Sequence, residues 1–197
     1  MLGKQAKILT ERQQRRVMSF LDMETRHPLR NRCAFLLSMK AGLRAKEIAT
    51  LQWRHVCDAE GALCDEITIE DKGSKGNGGR LVPMNKELQA ELTKLQAERS
   101  PKATDAVFYS ERKRGNVSPQ TVVDFFKDLY SEKNTNLEGA SSHSGRRTFI
   151  TNAAKKITTV GGSLRDVQHL AGHSSLQTTQ RYIESDAAAK KAIVDIV

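Results

Sequence analysis

The sequence predicts a mainly α chain carrying one small antiparallel β-hairpin or three-stranded sheet, an α+β class. Two observations predict it. Between turn signals, most stretches place apolar residues three and four apart, the spacing of one helix face. Only around residues 66–84 does that spacing give way to alternation, broken by a run of glycines. A third observation sets the scale: 197 residues are enough to bury a substantial core.

Thr10 opens the first helix, because its hydroxyl suits a cap and Gln13 stands where a capping box places its polar side chain. Val17, Phe20 and Leu21 then share a face, leaving Arg12, Arg15 and Arg16 to solvent or to phosphate. A second helix follows His27-Pro28 and runs to about Lys40. Cys33, Phe35, Leu36, Leu37 and Met39 make it dense enough for the centre of a core. Ala41-Gly42 breaks it, and a third helix begins at Leu43-Arg44 with Ile48, Leu51 and Trp53 facing inward. A cation near a helix N-terminus opposes the macrodipole. Arg44 therefore either faces an anion or pairs with a carboxylate such as Glu47, and the sequence leaves both open.

Residues 66–70 and 80–84 read as paired strands, with Ile67 and Ile69 on one face. The loop joining them, 71–79, is glycine-rich and carries Lys72 and Lys75. It is no phosphate-binding P-loop, since no Gly-Lys-Ser/Thr closes it and no helix follows directly. Such lysines are either solvated or carried into a groove. Asn85 caps a helix to about Arg99 on Leu88, Leu92 and Leu95, and Ser100-Pro101 stops it. Val107-Phe108 is a short buried piece, and residues 112–115 form an exposed basic turn. Ser118-Pro119 starts a helix through about Ser131, burying Val122, Phe125, Phe126 and Leu129. After a polar connector at 132–139, short helices are expected over His143–Lys156, Ser163–Leu170 and Ser175–Glu184. A tail helix at 186–197 follows, whose Ala192, Ile193, Val194, Ile196 and Val197 need a surface to cover.

Lys and Arg outnumber Asp and Glu by 32 to 23, a formal net charge of +9. That excess favours a polyanionic partner through counterion release, although a solvated basic surface accounts for the charge equally well. Aromatic residues make up 5% of the chain, too few for a single-strand stacking platform. Cys33, Cys57 and Cys64 are an odd set without C-x-x-C spacing, which suits reduced thiols in a cytoplasmic protein better than a disulfide frame or zinc site. No apolar run reaches membrane-spanning length, and no signal-peptide core opens the chain.

Polar groups suited to phosphodiester chemistry gather late in the sequence. His143 and Arg146 are three apart, hence on one face of the expected helix. Leu-Ala-Gly-His ends at His173, and Tyr182 follows nine residues later. Each is a weak signal alone, since single histidines and tyrosines are mostly structural. Their order, together with Arg44 and a hairpin lysine, is not.

The text Ala-Gly-Leu-Arg-Ala-Lys-Glu-Ile at 41–48, Gly-Arg-Leu-Val-Pro at 79–83, Ser-His-Ser-Gly-Arg-Arg-Thr-Phe at 142–149 and Leu-Ala-Gly-His-Ser-Ser-Leu-Gln-Thr-Thr-Gln-Arg-Tyr at 170–182 resembles the tyrosine recombinases, the phage integrase family of site-specific recombinases. The resemblance covers roughly Thr10 to Ser185. It implies the catalytic-domain fold of DNA breaking and rejoining enzymes, acting on double-stranded DNA as a homo-tetramer on synapsed sites, with no metal or nucleotide cofactor. It implies Arg44 and Arg146 as a clamp on the phosphate, a role guanidinium groups suit because they stay charged and donate in a planar fork. By the same resemblance Tyr182 is the nucleophile of a 3′-phosphotyrosyl intermediate, His143 its base, and His173 a hydrogen-bond donor to the phosphate. A hairpin lysine protonates the leaving 5′-oxygen, and alignment from Arg80 selects Lys75, with Lys72 as the alternative.

The family usually adds an N-terminal DNA-binding domain, whereas here about nine residues precede the first helix. The expectation is one catalytic domain over 1–197, ending in the tail helix 186–197, which in relatives docks on a neighbouring protomer. Two rival readings remain, a type IB topoisomerase and a non-catalytic DNA-binding factor on the same fold.

Overall fold

A computed structural model describes residues 5–70, 79–110, 115–182 and Val194. The chain divides into two compact units, Met1–Phe149 and Ile150–Val197.

In the first unit, α1 (Glu11–Met23) starts on the expected capping box: the Gln13 N–H donates to Thr10 Oγ1 and the Thr10 N–H to Gln13 Oε1. Val17 and Leu21 are buried, and Phe20 packs on the core from its edge. α2 (Pro28–Lys40) is enclosed on nearly all sides, with every residue from Cys33 to Met39 buried. It packs against α1, α3 (Ala45–Thr50) and α4 (Lys86–Arg99), as its lack of a polar face requires. Asn85 caps α4 by accepting from the Glu87 N–H, and Ser100 ends it in the left-handed region at φ 44°. Glu91 of α4 is buried, and hydrogen-bonded ion pairs with Arg32 and Lys94, each 2.8 Å, stabilise its charge there. α5 (Pro119–Leu129) lies against α3 and buries Val122, Phe126 and Leu129.

β1 (Glu66–Ile69) and β2 (Arg80–Pro83) pair antiparallel, from Glu66 opposite Pro83 to Ile69 opposite Arg80. Ile67, Ile69 and Val82 enter the core. The joining loop, with Lys72 and Lys75, lies outside the described residues. A second hairpin, β3 (Tyr109–Ser110) with β4 (Gly115–Asn116), stands as its own two-stranded ladder; the sequence reading had only a buried piece and a basic turn there. Two residues per strand are too few for alternation to register in a sequence.

The boundary between the units falls within α6 (Ser144–Lys156). The second unit continues through a 3-10 turn at Ile157–Val160 to α7 (Leu164–Ala171) and α8 (Leu176–Gln180), which pack on each other. Ser163 and Asp166 cap α7, and Ser175 caps α8. The helix expected over Ser175–Glu184 stops at Gln180, and Arg181 and Tyr182 form a turn. Of the tail 186–197 only Val194 is among the described residues; it is helical and exposed. No helix among the described residues is long and apolar enough to cross a membrane.

Candidate active site

The turn that ends α2 is built around Gly42, at φ +65°. A Cβ there would sit 2.4 Å from Cδ1 of Phe149, so both backbone and space demand glycine. The Gly42 carbonyl accepts a 2.6 Å hydrogen bond from Nη1 of Arg146, 104 residues away. Arg146 is 4% exposed in the first turns of α6. α6 reaches this position because Gly145 lets it press on α2: a Cβ at residue 145 would lie 2.3 Å from Ser38 Oγ. Thr148 fastens the same turns, accepting from the Leu9 N–H and donating to the Ser144 carbonyl.

Two residues past Gly42, Arg44 occupies the N-cap position of α3 in extended conformation. Its Nη1 donates to Glu47 Oε1 at 2.9 Å and its backbone N–H to Oε2 at 2.7 Å. Arg80, the first residue of β2, forks onto the same carboxylate at 2.8 and 3.0 Å. Burial alone would raise the Glu47 pKa. The Arg80 hydrogen bonds, then those of Arg44, outweigh it and hold the carboxyl below the usual range. The carboxylate reading of Arg44 is therefore realised, in a cluster where Arg44 and Arg80 share the Glu47 carboxylate.

His143 is exposed and sits one residue ahead of α6, where the sequence reading had it inside the helix. Ser144 Oγ accepts from the Ser141 N–H, and Ser141 Oγ from the His143 N–H, so the polar run starts the helix a step later. The His143 carbonyl accepts the first helical bond, from Arg147. Within the first unit, chain segments a hundred residues apart thus bring Arg146 onto the turn that carries Arg44.

In the second unit Gly172, at φ 60°, ends α7 in the left-handed region and releases His173. The His173 N–H donates to the Gln168 carbonyl, and Gln168 Nε2 donates back to the His173 carbonyl. His173 Nδ1 lies 2.9 Å from Thr179 Oγ1, which is fully buried. The imidazole stacks on the Tyr182 ring, centroids 5.4 Å apart and planes 23° from parallel. The Tyr182 backbone donates to the Thr179 carbonyl and accepts a long, 3.4 Å bond from Thr151. Tyr182 as a residue is half-buried. The other two tyrosines are sealed: Tyr130 is 4% exposed, with burial pushing its phenol pKa up, and Tyr109 lies beneath the Arg99 guanidinium, 3.5 Å from its ring centroid. Sequence reading missed Arg80, Thr179 and Thr151 as supports. Arg80 and Thr151 act through pairings 33 and 31 residues apart, which no local pattern signals, whereas Thr179 is only six residues from His173.

Among the described residues no group of three or more His, Cys, Asp and Glu is placed to hold a metal ion.

Curated relatives include tyrosine recombinase XerD of Neisseria meningitidis, 32% identical over 180 residues covering 89% of this chain and 57% of that protein. Tyrosine recombinase XerC of Myxococcus xanthus is 31% identical, covering 85% and 54%. The chain spans about half the length of these relatives. Among solved structures, XerA recombinase matches with TM-score 0.70 at 23% identity, over 94% of this chain and 63% of that one. XerH site-specific recombinase bound to a palindromic difH substrate matches with TM-score 0.71 at 21% identity, over 97% and 53%. These likenesses place the fold with that of tyrosine recombinase catalytic domains. The sequence model described as the phage integrase family matches residues 7–189, and the chain belongs to that family, the tyrosine recombinases.

Proposed function

We propose that this chain is the catalytic domain of a site-specific DNA recombinase that cuts and rejoins double-stranded DNA through a 3′-phosphotyrosyl intermediate. The observation that carries the reading is the Arg146–Gly42 hydrogen bond, which brings a second guanidinium to the turn bearing Arg44. A phosphodiester under attack gathers negative charge on its non-bridging oxygens, and two fixed guanidinium groups stabilise it electrostatically.

In this reading the Tyr182 oxygen attacks phosphorus while the bond to the 5′-oxygen breaks. An ordinary phenol has a pKa of about 10, so the attack needs a base to accept its proton, and His143 takes that part. His173 donates a hydrogen bond to the phosphate, and Lys75, or Lys72, gives the 5′-oxygen its proton. The phosphotyrosyl bond conserves the energy of the broken one, and a second 5′-hydroxyl reverses the step without metal or nucleotide. The DNA complexes among the structural neighbours support a duplex substrate. A homo-tetramer on two synapsed sites, working in the cytoplasm, completes the reading.

A duplex nicked beside the cleavage site traps the covalent adduct. Tyr182→Phe is expected to abolish adduct and leave DNA binding near wild type. Adduct from the Phe variant overturns the assignment. Relaxation of supercoils with no recombinant product turns the reading toward a type IB topoisomerase.

A further inference from the structure

Four hydrogen bonds converge on Glu47. Oε1 accepts from Arg44 Nη1 and Arg80 Nη1, and Oε2 from the Arg44 backbone and Arg80 Nη2, all between 2.7 and 3.0 Å. A carboxylate offers about four lone-pair positions, so this one is saturated. The side chains of Glu47 and Arg80 are 13% and 14% exposed, that of Arg44 41%. The fork is therefore set deeper, with Arg44 the more open group. Without Arg80, Glu47 keeps the Arg44 N–H on Oε2 as its one backbone anchor, and Oε1 is free to swing about that bond. Held edge-on by Arg80, it has one fixed direction in which to pull. Arg80 is also the neck of the lysine hairpin, opposite Ile69 in the last rung of the β1–β2 ladder.

We infer that Arg80 is a positioning residue for the reaction: its fork on Glu47 fixes the direction of the Arg44 guanidinium. The inference rests on the proposed phosphate-binding role of Arg44. Arg80 itself touches no reacting atom in this account. Lysine cannot take its place, because a single ammonium lacks the planar pair of donors.

The test is single-turnover cleavage of a nicked duplex by the full chain, with an ordinary scissile phosphate and with a methylphosphonate there. Replacing a charged oxygen by methyl removes the negative charge that Arg44 is proposed to meet. Arg80→Ala is expected to slow cleavage of the phosphate by about 10- to 100-fold, as small misplacements of catalytic groups do. Arg80→Lys should recover little of it, and Arg80→Gln serves if the alanine variant folds poorly. The loss should shrink on methylphosphonate, as it should for Arg44→Ala. In an Arg44→Ala background, removing Arg80 should cost less than about twofold, because residues acting as one unit are not additive. An undiminished loss in that background, or equal losses on both substrates, overturns the inference while the Arg44 reading stands. Wild-type cleavage by Arg44→Ala takes down both.

Discussion

The His173 imidazole lies stacked on the Tyr182 ring at 5.4 Å, with its Nδ1 fixed by the buried hydroxyl of Thr179. One residue thus sets both groups, because the Tyr182 N–H also donates to the Thr179 carbonyl. The carbonyl bond survives any side-chain change. The hydroxyl bond does not.

Thr179→Val keeps the volume and deletes the hydroxyl, leaving Nδ1 without that partner. A part-buried hydrogen bond is worth about 0.5–1.5 kcal/mol, and about 1.4 kcal/mol is tenfold in rate where it falls on the reacting arrangement. Adduct formation should therefore slow by up to about tenfold, with Thr179→Ser close to wild type and DNA affinity unchanged. Equal rates for the valine and threonine proteins would remove Thr179 from the account.

Packing at the start of α6 gives a prediction about stability. Gly145→Ala drives a methyl into Ser38, whose buried Oγ has no hydrogen-bond partner among the described residues. Overpacking of this kind costs about 1–3 kcal/mol. Urea unfolding should show that loss, and adding Ser38→Gly should restore part of it by opening the space opposite. No recovery in the double variant would mean that the backbone of α2, 3.2 Å from the new methyl, sets the cost.

Much of this was legible in the sequence because helix caps and apolar faces are local. Thr10 with Gln13, Asn85 and Ser118 each begin the helix expected of them. The motifs likewise gave Arg44, Arg146, His173 and Tyr182 as residues to seek. Their supports were legible only in part. Glu47 stands out as a local partner for Arg44, but its fork with Arg80 joins residues 33 apart that meet only in the folded chain. Arg80 stands inside a family motif, but nothing local in the sequence marks it as a partner of Glu47. His143 fell one residue outside its helix because Ser141 and Ser144 compete for the first N–H groups.

The Glu47 cluster also predicts a pH dependence. Its carboxyl is held below the ordinary range when folded, despite burial, by Arg80 and then Arg44. Depression stabilises the folded chain at pH above the unfolded value, about 4.3 for Glu. That contribution is lost as the pH falls through the lower folded value. Wild-type Tm should therefore drop more steeply below about pH 4 than that of Glu47→Gln, which carries no titrating group there. Parallel profiles for the two proteins would show that the cluster does not distinguish folded from unfolded states.

The choice between Lys75 and Lys72 reduces to the fate of one proton. Breaking the bond to the 5′-oxygen leaves an alkoxide that must be protonated, whereas a sulfur in that place departs as a stable thiolate. A substrate with a 5′-phosphorothiolate bond therefore makes the general acid dispensable and leaves every other requirement in force. Lys75→Ala should cleave the ordinary substrate slowly, by a factor of about 100 or more, and the sulfur substrate at close to the wild-type rate. Tyr182→Phe should cleave neither, because sulfur does nothing for a missing nucleophile. If Lys72→Ala shows the rescue and Lys75→Ala cleaves normally, the acid is Lys72. If neither variant is rescued, the proton comes from outside the hairpin.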